Sequence, residues 1–267
     1  MSASPSPLPP SSSSVAIIRR LRAAGCVYAE DEAKLLLSAA LTPADLDSMV
    51  DRRVAGLPLE HILGWAEFCG LRIAVDPGVF VPRRRTEFLV QQAFALSGPE
   101  AVVVDLCCGS GAIGAALAAA APSARIYAAD IDPAAVRCAR RNITAVGGQV
   151  FEGDLFEPLP PALRGCVDVL VVNAPYVPTG EIGMMPPEAR IHEPRAALDG
   201  GGDGLDVQRR VGAAAPLWLA PEGHLLVECS ERQAPRTVGI FTRCGLLPRV
   251  VESDELAATV IIGSLPR

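Results

Sequence analysis

Residues 101–114 read AVVVDLCCGSGAIG. An apolar run ends in Asp105, a turn carrying Gly109 and Gly111 follows, and an Ala-rich stretch begins. A continuous apolar run that stops at a carboxylate is the pattern of a strand buried on both faces of a parallel sheet. The glycines permit positive φ and close approach of a ligand to the backbone. The helix start beyond them offers free N–H groups to a nucleotide-like group. Strand, glycine turn and helix in that order open a doubly wound α/β domain.

The alternation continues toward the C-terminus. ARIYAAD is a second strand, and PAAVRCARRNITAV a second helix with Pro133 at its start. QVFEGD and VDVLVVN are the third and fourth strands, LDVQRRVGAAAPLWLA is a helix, and GHLLVECS is a fifth strand. LLPRVVES and ATVIIGSL close the chain as a hairpin. The expected fold class is α/β, a doubly wound, mostly parallel, seven-stranded Rossmann-like sheet over residues 89–267. Ligands of such sheets lie outside the C-terminal strand ends, here Asp105, Asp130, Asp154 and Asn173.

Toward the N-terminus, residues 61–88 hold short strand-like pieces split by Gly64, Gly70 and Pro77-Gly78, expected as a hairpin-like linker. Residues 15–60 read as a small helical domain, with Thr42-Pro43 as cap and first helical residue of one helix. Residues 1–14 are a Ser/Pro-rich tail with no signal-peptide pattern, expected to be disordered.

Half of the 267 residues are apolar, enough for a large core, and the formal net charge is −6. An acidic chain has no overall field for phosphates, so no direct nucleic-acid binding is expected. The eight cysteines include no C-x-x-C pair and histidine is scarce, so no metal site is expected. Reduced thiols, the absence of a membrane-length apolar run and the absence of a leader pattern suit a cytoplasmic, monomeric protein.

Gly109 and Gly111 alone are weak evidence, because ordinary α/β turns contain such glycines. Asp130 strengthens them: it closes the second strand, where an acid can accept both hydroxyls of a ribose. The cofactor is then NAD or S-adenosylmethionine, since G-S-G-A-I-G also matches the dinucleotide pattern. The later strands separate the two. Asp154 and Leu155 stand where an adenine could rest, and VVNAPYVP, Val171 to Pro178, places a side-chain amide at the fourth strand end. A dehydrogenase has no use for an Asn-turn-Tyr, whereas methyl transfer to an amide or amine does. In that reading the Asn173 side-chain oxygen and the Ala174 carbonyl hold two N–H groups, Pro175 fixes the turn and Tyr176 packs on the flat amide.

DLCCGSGAIG, ADIDPAAVRCARRN, GDLFEPL, VVNAPYVP and HEPRAALDGGGDGLDVQRRV resemble the protein-(glutamine-N5) methyltransferases of the release-factor-modifying type. The resemblance covers nearly the whole chain after the tail. It implies S-adenosylmethionine as cofactor, bound by Asp105, Cys107, Cys108, Gly109, Ser110, Gly111, Asp130, Asp154, Leu155 and Asn173. It implies a glutamine pocket, the catalytic set, at Asn173, Ala174, Pro175 and Tyr176. The implied partner is a protein substrate, a class I peptide chain release factor.

Three positions depart from the family pattern. Ala174 replaces a proline and keeps the carbonyl while losing φ rigidity. Cys107 replaces a glycine, which a side chain tolerates at negative φ. Arg85 replaces an acid. The run Arg83 to Arg85 reads as a solvated charge face, and Glu193 as a structural salt link as readily as a border of the substrate mouth. Gly147-Gly148-Gln149, the tripeptide that release factors carry, reads here as an ordinary helix-to-strand turn. The same clamp logic also fits a ribosomal-protein glutamine methyltransferase, an adenine N6-type amine methyltransferase and a silent cofactor-binding scaffold.

Overall fold

Ile17, Leu21, Leu36, Leu46, Met49 and Val50 recur at helical spacing and are buried together. The computed structural model describes residues 13–267, so residues 1–12 of the expected tail lie outside the described residues. Helices α1 (Ser13–Ala23), α2 (Ala29–Ala39), α3 (Pro43–Val54) and α4 (Leu59–Leu63) share this small core. Thr42 caps α3 by accepting a bond from the Asp45 amide at 3.1 Å, and the Asp45 carboxylate accepts one from the Leu41 amide at 3.1 Å. Arg53 of α3 is buried against Glu32, to which it donates at 2.6 and 3.0 Å. It also reaches Glu188 at 3.3 Å, which ties the helical unit to the later chain.

Strands β1 (Trp65–Phe68) and β2 (Leu71–Ala74) form an antiparallel hairpin. Cys69 and Gly70 both have positive φ, as a two-residue type I′ turn requires. The hairpin does more than connect: Ala66, Phe68 and Ile73 are buried in the same core as Val103 and Ile113.

The large sheet follows. Helix α5 (Glu87–Leu96) precedes β3 (Val102–Leu106), α6 (Ala112–Ala120), β4 (Arg125–Asp130), α7 (Pro133–Ile143), β5 (Gln149–Glu152) and β6 (Val167–Val172). Then come α8 (Pro187–His192), α9 (Asp206–Trp218), β7 (Leu219–Cys229), α10 (Ala234–Arg243), β8 (Leu247–Ser253) and β9 (Ala258–Ser264). The seven strands lie in the order β5-β4-β3-β6-β7-β9-β8. The first five are parallel; β9 runs antiparallel to β7 and β8 antiparallel to β9. Strand order reverses between β3 and β6, so a crevice opens at their C-terminal ends.

Boundaries shift from the sequence reading: α1 begins at Ser13, inside the stretch expected as a tail, α4 runs across the boundary expected at residues 60/61, and a strand begins early. β7 starts at Leu219, not Gly223: Leu219 pairs with Val167, and pairing resumes at His224 with Val169. Pro221-Glu222-Gly223 looks like a turn but is absorbed as a bulge inside the strand, with Glu222 at φ +64.

Candidate active site

The turn after β3 is built on alternate positive φ: Cys107 at +56, Gly109 at +56 and Gly111 at +77. A Cβ on Gly111 would stand 2.8 Å from Ile143 Cδ1, so this glycine lets α7 press against the turn. Cys107 corrects an expectation, because its φ is positive where only a negative value was comfortable for a side chain. The chain must reverse there to bring the Cys108 amide onto the Ala129 carbonyl at 3.2 Å, and the half-buried Cys107 side chain packs on the core beside Leu106. A non-glycine residue in this region carries about 1–3 kcal/mol of strain. Cys107→Gly is therefore expected to keep stability within about 1 kcal/mol, relief of strain offsetting unfolded-state entropy. Cys107→Val, β-branched at positive φ, should lose on the order of 1–3 kcal/mol. Denaturant melts of the two variants check this; equal midpoints would contradict it. Burial pushes the Cys107 and Cys108 thiols up, so both are neutral and neither is a nucleophile.

Asp105 is fully buried at the end of β3. Its Oδ2 accepts a bond from the Gly114 amide at 3.0 Å, and its Oδ1 has no partner among the described residues. Burial, with the Asp130 charge adding and the Gly114 bond opposing, pushes its carboxyl up to about 7. Below pH about 4 the group is protonated in both the folded and unfolded chain. Between about 4 and 7 the folded chain holds the extra proton, so stability falls by roughly 1.4 kcal/mol per pH unit and then levels off. Subtracting the stability–pH curve of Asp105→Asn from that of the wild type, without cofactor, should leave this fall. A flat difference curve would contradict it.

Asp130, at the end of β4, accepts the Gly109 amide on Oδ2 at 2.8 Å and the Asp132 amide on Oδ1 at 2.9 Å. Burial, opposed by these bonds, raises its carboxyl. Each oxygen retains a second lone pair for a hydroxyl. Asp154 is held by Arg210 at 2.6 Å, and Leu155 takes φ +50. Asn142, which the sequence reading left without a role, supports the turn. It brackets Ala74, accepting from its amide and donating to its carbonyl, both at 2.9 Å, and donates to the Ser110 carbonyl at 2.8 Å.

The β6 end carries the second half of the site. Asn173 is half-buried, and its Nδ2 donates to the buried Thr86 hydroxyl at 3.4 Å. Ala174 is buried. The Tyr176 hydroxyl accepts from Arg85, whose guanidinium lies 5.8 Å from the ring centroid. Burial pushes the Tyr176 phenol up to about 12, so it stays protonated. The turn is stitched to the glycine-rich block: Val177 donates to Leu198 at 3.0 Å, and Gly200 donates to Val177 at 2.8 Å. Gln233 holds the Tyr176 carbonyl at 2.9 Å.

The arginine run is more than a solvated face, because two of its members hold buried carboxylates. Arg83 donates to both oxygens of buried Glu193 at 2.6 Å, and Arg85 donates to buried Glu228 at 3.1 Å. Arg84 and Arg85 are both exposed, and Arg84 alone of the three forms no ion pair among the described residues. Glu193 also accepts the Val81 amide at 3.2 Å, and burial raises its carboxyl. Glu193 is the structural salt link that the sequence allowed; Thr86, Gln233 and Glu228 escape sequence reasoning because their partners are far along the chain. For Thr86 the only signal is its place beside the arginines in the linker block.

One cavity of about 360 Å³ collects these parts, within the size range of small-molecule sites. Cys107, Cys108, Gly109, Ser110, Asp130, Asp154, Leu155 and Asn173 to Tyr176 line it. Asp105 and Gly111 stand behind the wall rather than in it. Gly147-Gly148-Gln149 lies in the turn into β5, with Gly147 at φ +83. Among the described residues no cluster of three or more His, Cys, Asp or Glu could hold a metal. No helix among them is long and apolar enough to cross a membrane.

The methyltransferase small domain model matches residues 70–232. A release factor glutamine methyltransferase of Geobacter sulfurreducens is 41% identical over 228 residues, 84% of this chain and 79% of that protein. This chain belongs to the release factor glutamine methyltransferase family. A family member from Mycolicibacterium smegmatis is 40% identical over 80% of this chain and 76% of its own length. A 4-amino-L-phenylalanine/4-methylamino-L-phenylalanine methyltransferase of Streptomyces pristinaespiralis is 36% identical over 77% of this chain and 76% of its own. The solved structure of a methyltransferase from Pyrococcus furiosus shares the fold, with a TM-score of 0.56 at 16% identity, covering 84% of this chain and 100% of that one. The cofactor of the family's chemistry is S-adenosylmethionine. The cradle fits it: Asp130 keeps acceptors for a ribose, and the turn at residues 107–111 presents backbone at close range.

Proposed function

We propose that this chain transfers a methyl group from S-adenosylmethionine to the side-chain amide nitrogen of a protein glutamine, in the Gly-Gly-Gln loop of a class I peptide chain release factor. One observation carries the reading. The turn of Asn173 to Tyr176 opens into the same cavity as the cofactor turn and Asp130, at the point where strand order reverses. The names of relatives at 40% identity and above support the substrate. We assign Cys107 to Ser110, Asp130, Asp154 and Leu155 to the cofactor and Asn173, at the junction of the two halves, chiefly to the glutamine, with Asp105 and Gly111 shaping the turn from behind.

An amide nitrogen is a weak nucleophile because its lone pair is delocalised into the carbonyl. The bound cofactor supplies an electrophilic methyl on a sulfonium. Thr86 engages Asn173 Nδ2, which leaves Oδ1 to accept one N–H of the glutamine. The Ala174 carbonyl accepts the other. Two fixed acceptors hold the nitrogen, and Tyr176 closes over the flat amide. Transfer to the held nitrogen would leave the demethylated thioether as leaving group, and the surplus N–H proton, made acidic by alkylation, would pass to water. The thiols and the phenol, all held neutral, supply no base, so rate comes from positioning and electrostatics.

The protein is expected to work as a cytoplasmic monomer that meets its substrate without gripping nucleic acid. Labelled methyl from S-adenosylmethionine should pass to an unmethylated class I release factor and not to its Gly-Gly-Gln→Gly-Gly-Ala variant. Equal labelling of both would overturn the assignment.

A further inference from the structure

A second cavity, of about 560 Å³, lies on the far side of the Arg85–Tyr176 pair, and these two residues line both spaces. It is framed by the C-terminal end of β7, the turn at Ser230-Glu231 and the turn between β8 and β9. Its walls carry four carboxylates, Glu228, Glu231, Glu252 and Asp254, against one guanidinium, that of Arg85. Glu231, Glu252 and Asp254 form no ion pair among the described residues and are exposed.

Charge alone would leave this an ordinary acidic surface. Glu228 separates it from one. It is 2% exposed, its Oε1 is taken by Arg85 at 3.1 Å, and its Oε2 is buried without a partner among the described residues. A buried carboxylate oxygen with no donor is expensive to leave so, and native structures rarely do. The carboxylates do not converge closely enough to hold a bare metal ion. A planar guanidinium or a flexible ammonium, with several donors on a long stem, can reach carboxylates spread over such a space.

We propose that this cavity is a subsite for an arginine or lysine side chain of the substrate protein, flanking the glutamine that is methylated. The proposal rests on the glutamine reading above, because Tyr176 is what joins the two spaces. It makes the chain selective for glutamines in a cationic context.

The test uses Gly-Gly-Gln peptides that differ at one scanned flanking position, carrying Arg, Lys, Met or Glu. Their binding is measured by fluorescence anisotropy and their methylation by kcat/KM, with wild type and with Glu252→Gln/Asp254→Asn. At one position Arg and Lys should bind at least tenfold more tightly than Met, and Glu more weakly still. In the double variant the Arg-to-Met ratio should fall below threefold. Binding that ignores charge at every position, or a preference that survives in the double variant, overturns the subsite. Methylation without charge preference would overturn the subsite and leave the glutamine reading standing. Charge-selective binding with no methyl transferred to any peptide or release factor would overturn the glutamine reading, and with it the placing of the subsite beside a methylated glutamine, while leaving a cation-binding cavity.

Discussion

Asn173→Ala should leave S-adenosylmethionine affinity within about threefold and lower methyl transfer by on the order of 10²–10³-fold, the effect of deleting one preorganised polar partner at a reacting centre. The side chain sits at the end of β6, half-buried, with Nδ2 committed to Thr86. The alanine removes one of the two acceptors proposed to hold the glutamine nitrogen, and the Ala174 carbonyl alone leaves that nitrogen free to turn. The cofactor turn and Asp130 are anchored independently through Asn142, the Gly109 amide and the Asp132 amide, so cofactor binding survives. The loss should fall on kcat rather than on KM, because the bond matters most as the nitrogen is aligned for attack. Calorimetric titration of cofactor beside steady-state turnover checks the split. Near-normal turnover would remove the clamp from the mechanism.

Gly204→Ala should be nearly as damaging, although Gly204 touches neither cofactor nor glutamine in this account. Its φ is +79, and a Cβ there would stand 2.2 Å from the Tyr176 carbonyl oxygen and 2.5 Å from Gln233 Nε2. The bond that fixes Tyr176 would break and the turn would shift by the order of an ångström. Misplacement of that size costs about 10²-fold in rate, and strain at positive φ adds roughly 1–3 kcal/mol to the stability loss. Gly202 is the control: a Cβ there meets nothing within 4 Å and its φ is not positive. Gly202→Ala should turn over at the wild-type rate. Equal activity of the two variants would mean that the glycine-rich block does not position the Tyr176 turn.

The sheet was legible because each buried parallel strand announces itself as an apolar run ending in a polar residue, from Asp105 through Asn173. The start of β7 was not, since a bulge over Pro221 to Gly223 has the composition of a turn. Within the site, residue types at strand ends could be read, but tertiary partners could not. Arg83 finds Glu193 110 positions away and Arg85 finds Glu228 143 away, and no local pattern marks such pairs. Backbone conformation was equally hidden at Cys107, where the fold demands a positive φ of a residue that resists it. The glycine-rich block carried family resemblance in the sequence; only the structure ties it to the Tyr176 carbonyl.

Fragment-ion mass spectrometry of an unmethylated class I release factor, incubated with this protein and S-adenosylmethionine, reads the methylated residue itself. A single added methyl is expected on the glutamine side chain of the Gly-Gly-Gln loop, absent with Asn173→Ala. A methyl on any other residue, or none while cofactor binding is intact, would contradict it.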